Sequence, residues 1–115
     1  MENVIEKKSY QFAMDVVKLT RVLEKRGCEY ALTRQLIRSG TSIGANISEA
    51  QQAESKRDFA SKMSIALKEA MESRYWLRLL KGLESITEDE AAGMLESADE
   101  LIRILTKIVR TTRGE

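Results

Sequence analysis

Two carboxylates one helical turn apart, Glu69 and Glu72, and a third at Glu49 are the residues best suited to chemistry in this chain. Facing carboxylates can hold a metal ion or do acid–base work. Their ordinary role is to pair with arginine, and Arg34, Arg38 and Arg74 are the expected partners, through forked hydrogen bonds between helices. The chain has no histidine. That removes the commonest general base, the usual zinc ligand and the Glu-x-x-His pair of di-iron bundles. Cys28 has no histidine to activate it and reads as a passive thiol. The expectation is a protein with no catalytic residue, no cofactor and no metal ligand.

Asn46 lies near an apolar seam, between Ile43 and Ile47. A buried asparagine must find partners, and one on a helix face can fix register across an interface. Asn46-Ile47-Ser48 matches the glycosylation sequon, by chance in a helical chain without an apolar leader. Gly40-x-x-x-Gly44 lacks the Gly-Lys-Ser/Thr ending of a phosphate loop. Its reading is close approach of two helices, with Trp76 as a bulky partner that offsets the helix cost of glycine, about 1 kcal/mol. Three basic stripes recur at helical spacing: Lys18, Arg21, Lys25; Arg74, Arg78, Lys81; and Arg103, Lys107, Arg110. Cations near a helix C-terminus complement its dipole, so a solvated face is the plain reading. A phosphate-binding surface is the sharper one, carried by the second and third stripes.

The elements that must position these residues are four helices. Phe12, Val16, Leu19 and Leu23 share one face of a helix over Ile5–Arg26, which Gly27 ends. A second, over Tyr30–Gln52, has its core face at Leu32, Leu36, Ile43 and Ile47. Ser39, Gly40, Thr41 and Ser42 are poor helix formers, and a kink or break is expected there. A third starts at the N-cap Ser55, with Asp58 three residues on, and runs to about Leu83. Its seam is Phe59, Met63, Ala66, Ala70, Ser73, Leu77 and Leu80; Ile65, Tyr75, Trp76 and Leu79 lie off that seam. A helix apolar on more than one side requires more than one neighbour. The fourth opens on the capping box Thr87-x-x-Glu90, with Ala91, Met94, Ala98, Leu101, Leu105 and Ile108 inward and Leu95, Ile102 and Val109 beside them.

Short connections and near-heptad seams predict an all-α, antiparallel up-down-up-down four-helix bundle over residues 1–115, one domain. Composition agrees: of 115 residues none is proline and about a third are charged. A single cysteine excludes an internal disulfide, and no apolar run approaches a membrane span, so a cytoplasmic protein is expected. The net charge of +1 is unevenly spread: residues 55–83 carry seven basic and three acidic groups, residues 84–115 four and eight. A dedicated nucleic-acid binder is usually more basic.

The block from Ser39 to Leu80 resembles the four-helix-bundle family of 23S rRNA intervening-sequence proteins. The resemblance rests on Arg38, Ser42-Ile43, Ala45-Asn46-Ile47, Glu49-Ala50, Phe59, Leu67, Glu69, Glu72 and Leu77. Many members have proline where this chain has Gly44. The resemblance implies a homopentameric helical barrel with no established catalytic activity, and thus a scaffold or adaptor. Some members are encoded within ribosomal RNA genes. A related branch, the accessory proteins of diversity-generating retroelements, binds nucleic acid and a reverse transcriptase through a strongly basic surface. This chain departs from that branch in its near-neutral charge. Weak, salt-sensitive nucleic-acid binding is the most that it predicts. Self-association is expected from apolar surface at Tyr75, Trp76 and Leu79, the number five from the resemblance alone.

Overall fold

A computed structural model describes residues 3–115. They form α1 (Val4–Lys25), α2 (Tyr30–Ala50), α3 (Lys56–Gly82) and α4 (Glu88–Thr112). Three of the four helix starts carry a side-chain cap. The Asn3 side chain accepts from the Glu6 N–H at 2.9 Å, and the Ser55 hydroxyl accepts from the Asp58 N–H at 3.0 Å. At Thr87 the box is complete: the hydroxyl accepts from the Glu90 N–H at 3.1 Å, and the Thr87 N–H donates to the Glu90 carboxylate at 2.8 Å. α2 starts at Glu29 without a side-chain cap.

α1 ends in a left-handed turn at Gly27, where Cys28 N–H reaches back to Leu23 C=O at 3.0 Å. α3 ends the same way, with Ser85 N–H on Leu80 C=O at 2.9 Å, but Glu84 holds the left-handed position at φ 59°.

Contacts run α1–α2, α2–α3, α3–α4 and α4–α1, with no diagonal pair among the described residues. Side-chain pairs fix the directions. Gly40 of α2 meets Val16 of α1, while Gly44, further along α2, meets the earlier Ser9. Arg38 reaches Glu72 and Glu49 reaches Lys62. Arg74 reaches Asp99 and Lys81 reaches Glu88. Every neighbouring pair is therefore antiparallel, in a bundle of 45 × 24 × 22 Å.

The core follows the expected seams: Phe12, Val16, Leu23, Leu36, Ile43, Ile47, Met63, Leu77, Leu80, Leu101 and Leu105 are sealed from solvent. Leu32, Phe59, Met94 and Ile108, expected in the core, sit at its margin, and Thr33, Ala60 and Val109 take the inward positions. A 3.6-residue turn drifts against a seven-residue seam, so residues near helix ends rotate off it. Ser9, Thr20, Thr33, Ser39 and Ser73 are buried; the first four hydroxyls each donate to a carbonyl one turn back, and that of Ser73 donates to the Ser39 hydroxyl.

α2 has no break at Ser39–Ser42. The Thr41 hydroxyl donates to Ile37 C=O at 2.7 Å, and those of Ser39 and Ser42 do the same to Leu36 and Ser39 at 3.3 Å. Small side chains here let α1 and α3 approach, and that packing overrides poor propensity.

Candidate functional site

The family-like residues of α2 and α3 form one polar cluster. The Arg38 guanidinium donates to Glu69 at 3.1 Å and to Glu72. The Ser42 hydroxyl donates to Glu69 at 2.6 Å, and the Trp76 indole N–H donates to Glu72 at 3.0 Å. Trp76 and Arg38 together hold the Glu72 carboxyl below the usual carboxylate range, the indole being the stronger cause. Glu72 in turn raises Arg38. Beneath, the Ser73 hydroxyl donates to the Ser39 hydroxyl at 2.9 Å, fully buried.

The cluster ties α2 to α3. Glu49 is not part of it; it pairs with Lys62 at 3.2 Å, so the three carboxylates do not converge. No group of three metal-ligating side chains occurs among the described residues. Of the three expected arginine partners only Arg38 takes this role. Arg74 goes to Asp99 at 2.7 Å, and Arg34 is exposed and has no ion pair among the described residues. Four hydrogen bonds converge on one oxygen of each of these two carboxylates. The arrangement is a polar clasp between α2 and α3.

Asn46 is half-buried and donates to Ser42 C=O of its own helix at 2.9 Å. The partner expected for Gly40 and Gly44 is also corrected: they face α1, not Trp76. A Cβ on Gly40 would lie 2.8 and 2.9 Å from the Val16 methyls, whereas one on Gly44 would meet Ser9 at 3.4 Å, an ordinary contact. Cys28 is half-buried beside the core. Tyr75 packs edge-on against Trp76, ring centroids 5.1 Å apart, and is itself 58% exposed; Leu79 beside them is half-buried.

The basic stripes do not share a face. Lys18–Lys25 and Arg74–Lys81 lie toward the C-terminal ends of α1 and α3, which are diagonal helices at one end of the bundle. Arg74, Arg78 and Lys81 line a shallow hollow with Glu84, Glu88 and Asp99; Arg74 and Lys81 are paired, Lys81 with Glu88 at 3.5 Å. Three carboxylates thus face three cations, and this stripe is neutralised. Arg103, Lys107 and Arg110 line a hollow of about 440 Å³ and have no ion pair among the described residues.

Next to it lies a groove of about 740 Å³, bordered by Lys56, Arg57, Lys68 and Arg113 with Ser61 and Ser64. These four cations are likewise unpaired among the described residues. Sequence reasoning missed the groove. The available signal was the excess of +4 over residues 55–83. The antiparallel register then places the first half of α3 beside the last turns of α4.

Fold and site define an all-α antiparallel bundle whose α2 and α3 are joined by a polar clasp. Residues 1–107 match the family model described as 23S rRNA-intervening sequence protein, and the chain belongs to that family. It is also similar to a solved structure, a protein with unknown function from the S23 ribosomal protein family of Bacteroides thetaiotaomicron VPI-5482. The two are 43% identical, with a TM-score of 0.91 over 93% of this chain and 99% of that one. No curated protein matches. None of the helices is long and apolar enough to cross a membrane, among the described residues.

Proposed function

We propose that this chain is a non-catalytic, self-assembling scaffold of the cytoplasm, joined to further copies of itself through the outer face of α3. One observation carries the reading. Ile65, Met71, Tyr75 and Leu83 are all large, apolar and exposed on this one helix, with Trp76 and Leu79 half-covered among them. The row extends about 27 Å along the axis at 1.5 Å per residue. An apolar row of this length, rimmed by Lys68 and Arg78, is the kind of surface that marks an interface. A second copy is the chosen occupant because the family resemblance implies a homo-oligomer, and its number, five, comes from there.

Light scattering coupled to size exclusion tests the reading. The expected mass is five times that of the 13.0 kDa chain. Tyr75→Asp with Leu83→Asp should shift it to the monomer while the helical circular dichroism is kept. A wild-type monomer at micromolar concentration refutes self-assembly. A pentamer that survives both substitutions refutes the α3 face.

A further inference from the structure

We propose that the end of the bundle formed by the start of α3 and the last turns of α4 binds the phosphate backbone of a nucleic-acid duplex. Seven cations gather there: Lys56, Arg57 and Lys68 from α3, and Arg103, Lys107, Arg110 and Arg113 from α4. None is spent on an internal ion pair among the described residues, in contrast to Arg74 and Lys81. Glu115 is the one carboxylate among the residues that line the two hollows, so cations remain in excess. The acidic start of α4, Glu88-Asp89-Glu90, is at the opposite end and confines a polyanion to this one.

The shape and lining choose the ligand. The two hollows adjoin through the last turn of α4: Thr111 borders the smaller, Thr112 and Arg113 the larger. From Arg103 to Arg113 the track is about 15 Å long, at 1.5 Å per residue. One strand of a duplex presents a phosphate every ~3.4 Å along its axis, so about four phosphates face the track. Ser61, Ser64 and Thr106 add neutral hydroxyl donors to phosphate oxygens. No aromatic residue lines either hollow. Bases therefore have nothing to stack on, which disfavours single strands and sequence readout. The duplex, with its higher density of phosphate charge, is the substrate this lining fits, bound weakly and without sequence preference. All seven cations belong to one chain, so the inference does not rest on the self-assembly reading.

Fluorescence anisotropy with a labelled RNA duplex of about 20 base pairs, titrated with the full chain at about 50 and 200 mM salt, tests it. Two triple variants remove equal charge. Arg57→Gln/Lys68→Gln/Arg113→Gln lies in the track; Lys18→Gln/Arg21→Gln/Arg78→Gln lies outside it. The track variant should bind at least tenfold more weakly at the lower salt and lose about three from the salt slope, one per phosphate contact. The outside variant should change less than twofold. Equal weakening by both variants refutes the site, as does undetectable binding at the lower salt. Tighter binding of a single strand of the same sequence refutes the backbone reading. Acetylation footprinting of the wild-type protein gives an answer even where a variant fails to fold. Duplex should protect Lys56, Lys68 and Lys107 and leave Lys18 and Lys81 reactive; the reverse pattern refutes the proposal.

Discussion

Gly40 is where α1 and α2 come closest, and replacing it with alanine sets two known effects against each other. Alanine in a helix interior is favoured over glycine by about 1 kcal/mol. Against this, the new Cβ would lie 2.8, 2.9 and 3.2 Å from three Val16 carbons. Val16 is fully buried and β-branched, so its methyls have no free rotamer to retreat to. The helices must separate, and overpacking of this kind costs about 1–3 kcal/mol. Gly40→Ala should therefore destabilise by a net of about 1 kcal/mol. Gly44→Ala is the control. Its Cβ would meet Ser9 Oγ at 3.4 Å, so the propensity gain survives and stability should rise by about 0.5–1 kcal/mol. The two melting temperatures should differ by roughly 6–8 °C, at about 4 °C per kcal/mol for a chain of this size. Val16→Ala completes a double-mutant cycle. Alone it should cost about 2 kcal/mol in lost burial and cavity. Combined with Gly40→Ala it should cost at least about 1 kcal/mol less than the sum, because the new methyl fills the space vacated. Urea denaturation at fixed protein concentration reads all four corners, since self-association would shift apparent stability. If Gly40→Ala raises stability as much as Gly44→Ala does, or the cycle shows no coupling, the close-contact argument is wrong.

Glu84→Gly should stabilise by about 0.5–1 kcal/mol, because glycine takes the left-handed α3 terminus without strain; thermal melting checks it. The Arg26 side chain first, then the Thr87 N–H, hold the Glu90 carboxyl down to about 2. A carboxyl lower in the folded than in the unfolded state contributes stability that is full above the unfolded value, about 4.3, and fades as pH falls toward 2. Glu90→Gln should accordingly flatten the acid side of a stability–pH curve in that window, with urea midpoints as the measure. Ser73→Ala should cost about 1 kcal/mol, since it removes the buried hydroxyl pair with Ser39; an unchanged denaturation midpoint would show that Ser39 is satisfied by Leu36 alone.

What the sequence made legible follows from the range of the physics involved. Helix number, ends and inward faces depend on residues within a turn or two. The apolar spacing of Phe12, Val16 and Leu23 and the box at Thr87 and Glu90 were enough to place them. The polar clasp was legible in part, because Arg38, Glu69 and Glu72 lie on adjacent helices and offer few partners. What failed needed the register between helices. Glycine spacing signals a close approach but not which neighbour approaches, and Val16 of α1, not Trp76, proved to be that neighbour. The carboxylates that meet Arg74 and Lys81, Asp99 and Glu88, come from α4, which no local pattern on α3 could show. The expected break in α2 was a propensity argument, and it lost to packing on two sides.

The same register explains how α3 can serve two partners. Much of its inward seam is small: Ala60, Ala66, Ala70 and Ser73 are buried between larger Met63, Leu77 and Leu80. Small seam residues let neighbouring backbones come close, as the Ser39–Ser73 hydroxyl contact does. Several of the large apolar residues that would ordinarily fill a core, Ile65, Met71, Tyr75 and Leu83, are left on the outside. Burying each against another surface would gain roughly 25 cal/mol per Å². The gain would come from a surface outside the bundle, since α2 and α4 already occupy the other sides of α3. The unpaired cations lie around the first half of α3 and the end of α4, whereas Tyr75, Leu79 and Leu83 lie in its last third. Ile65, at the other end of the apolar row, borders the basic groove, so a copy seated over that last third and clear of Ile65 would leave the basic end open. Assembly through α3 would then bring several basic tracks into one particle, and phosphate binding should gain avidity that the Tyr75→Asp/Leu83→Asp monomer lacks.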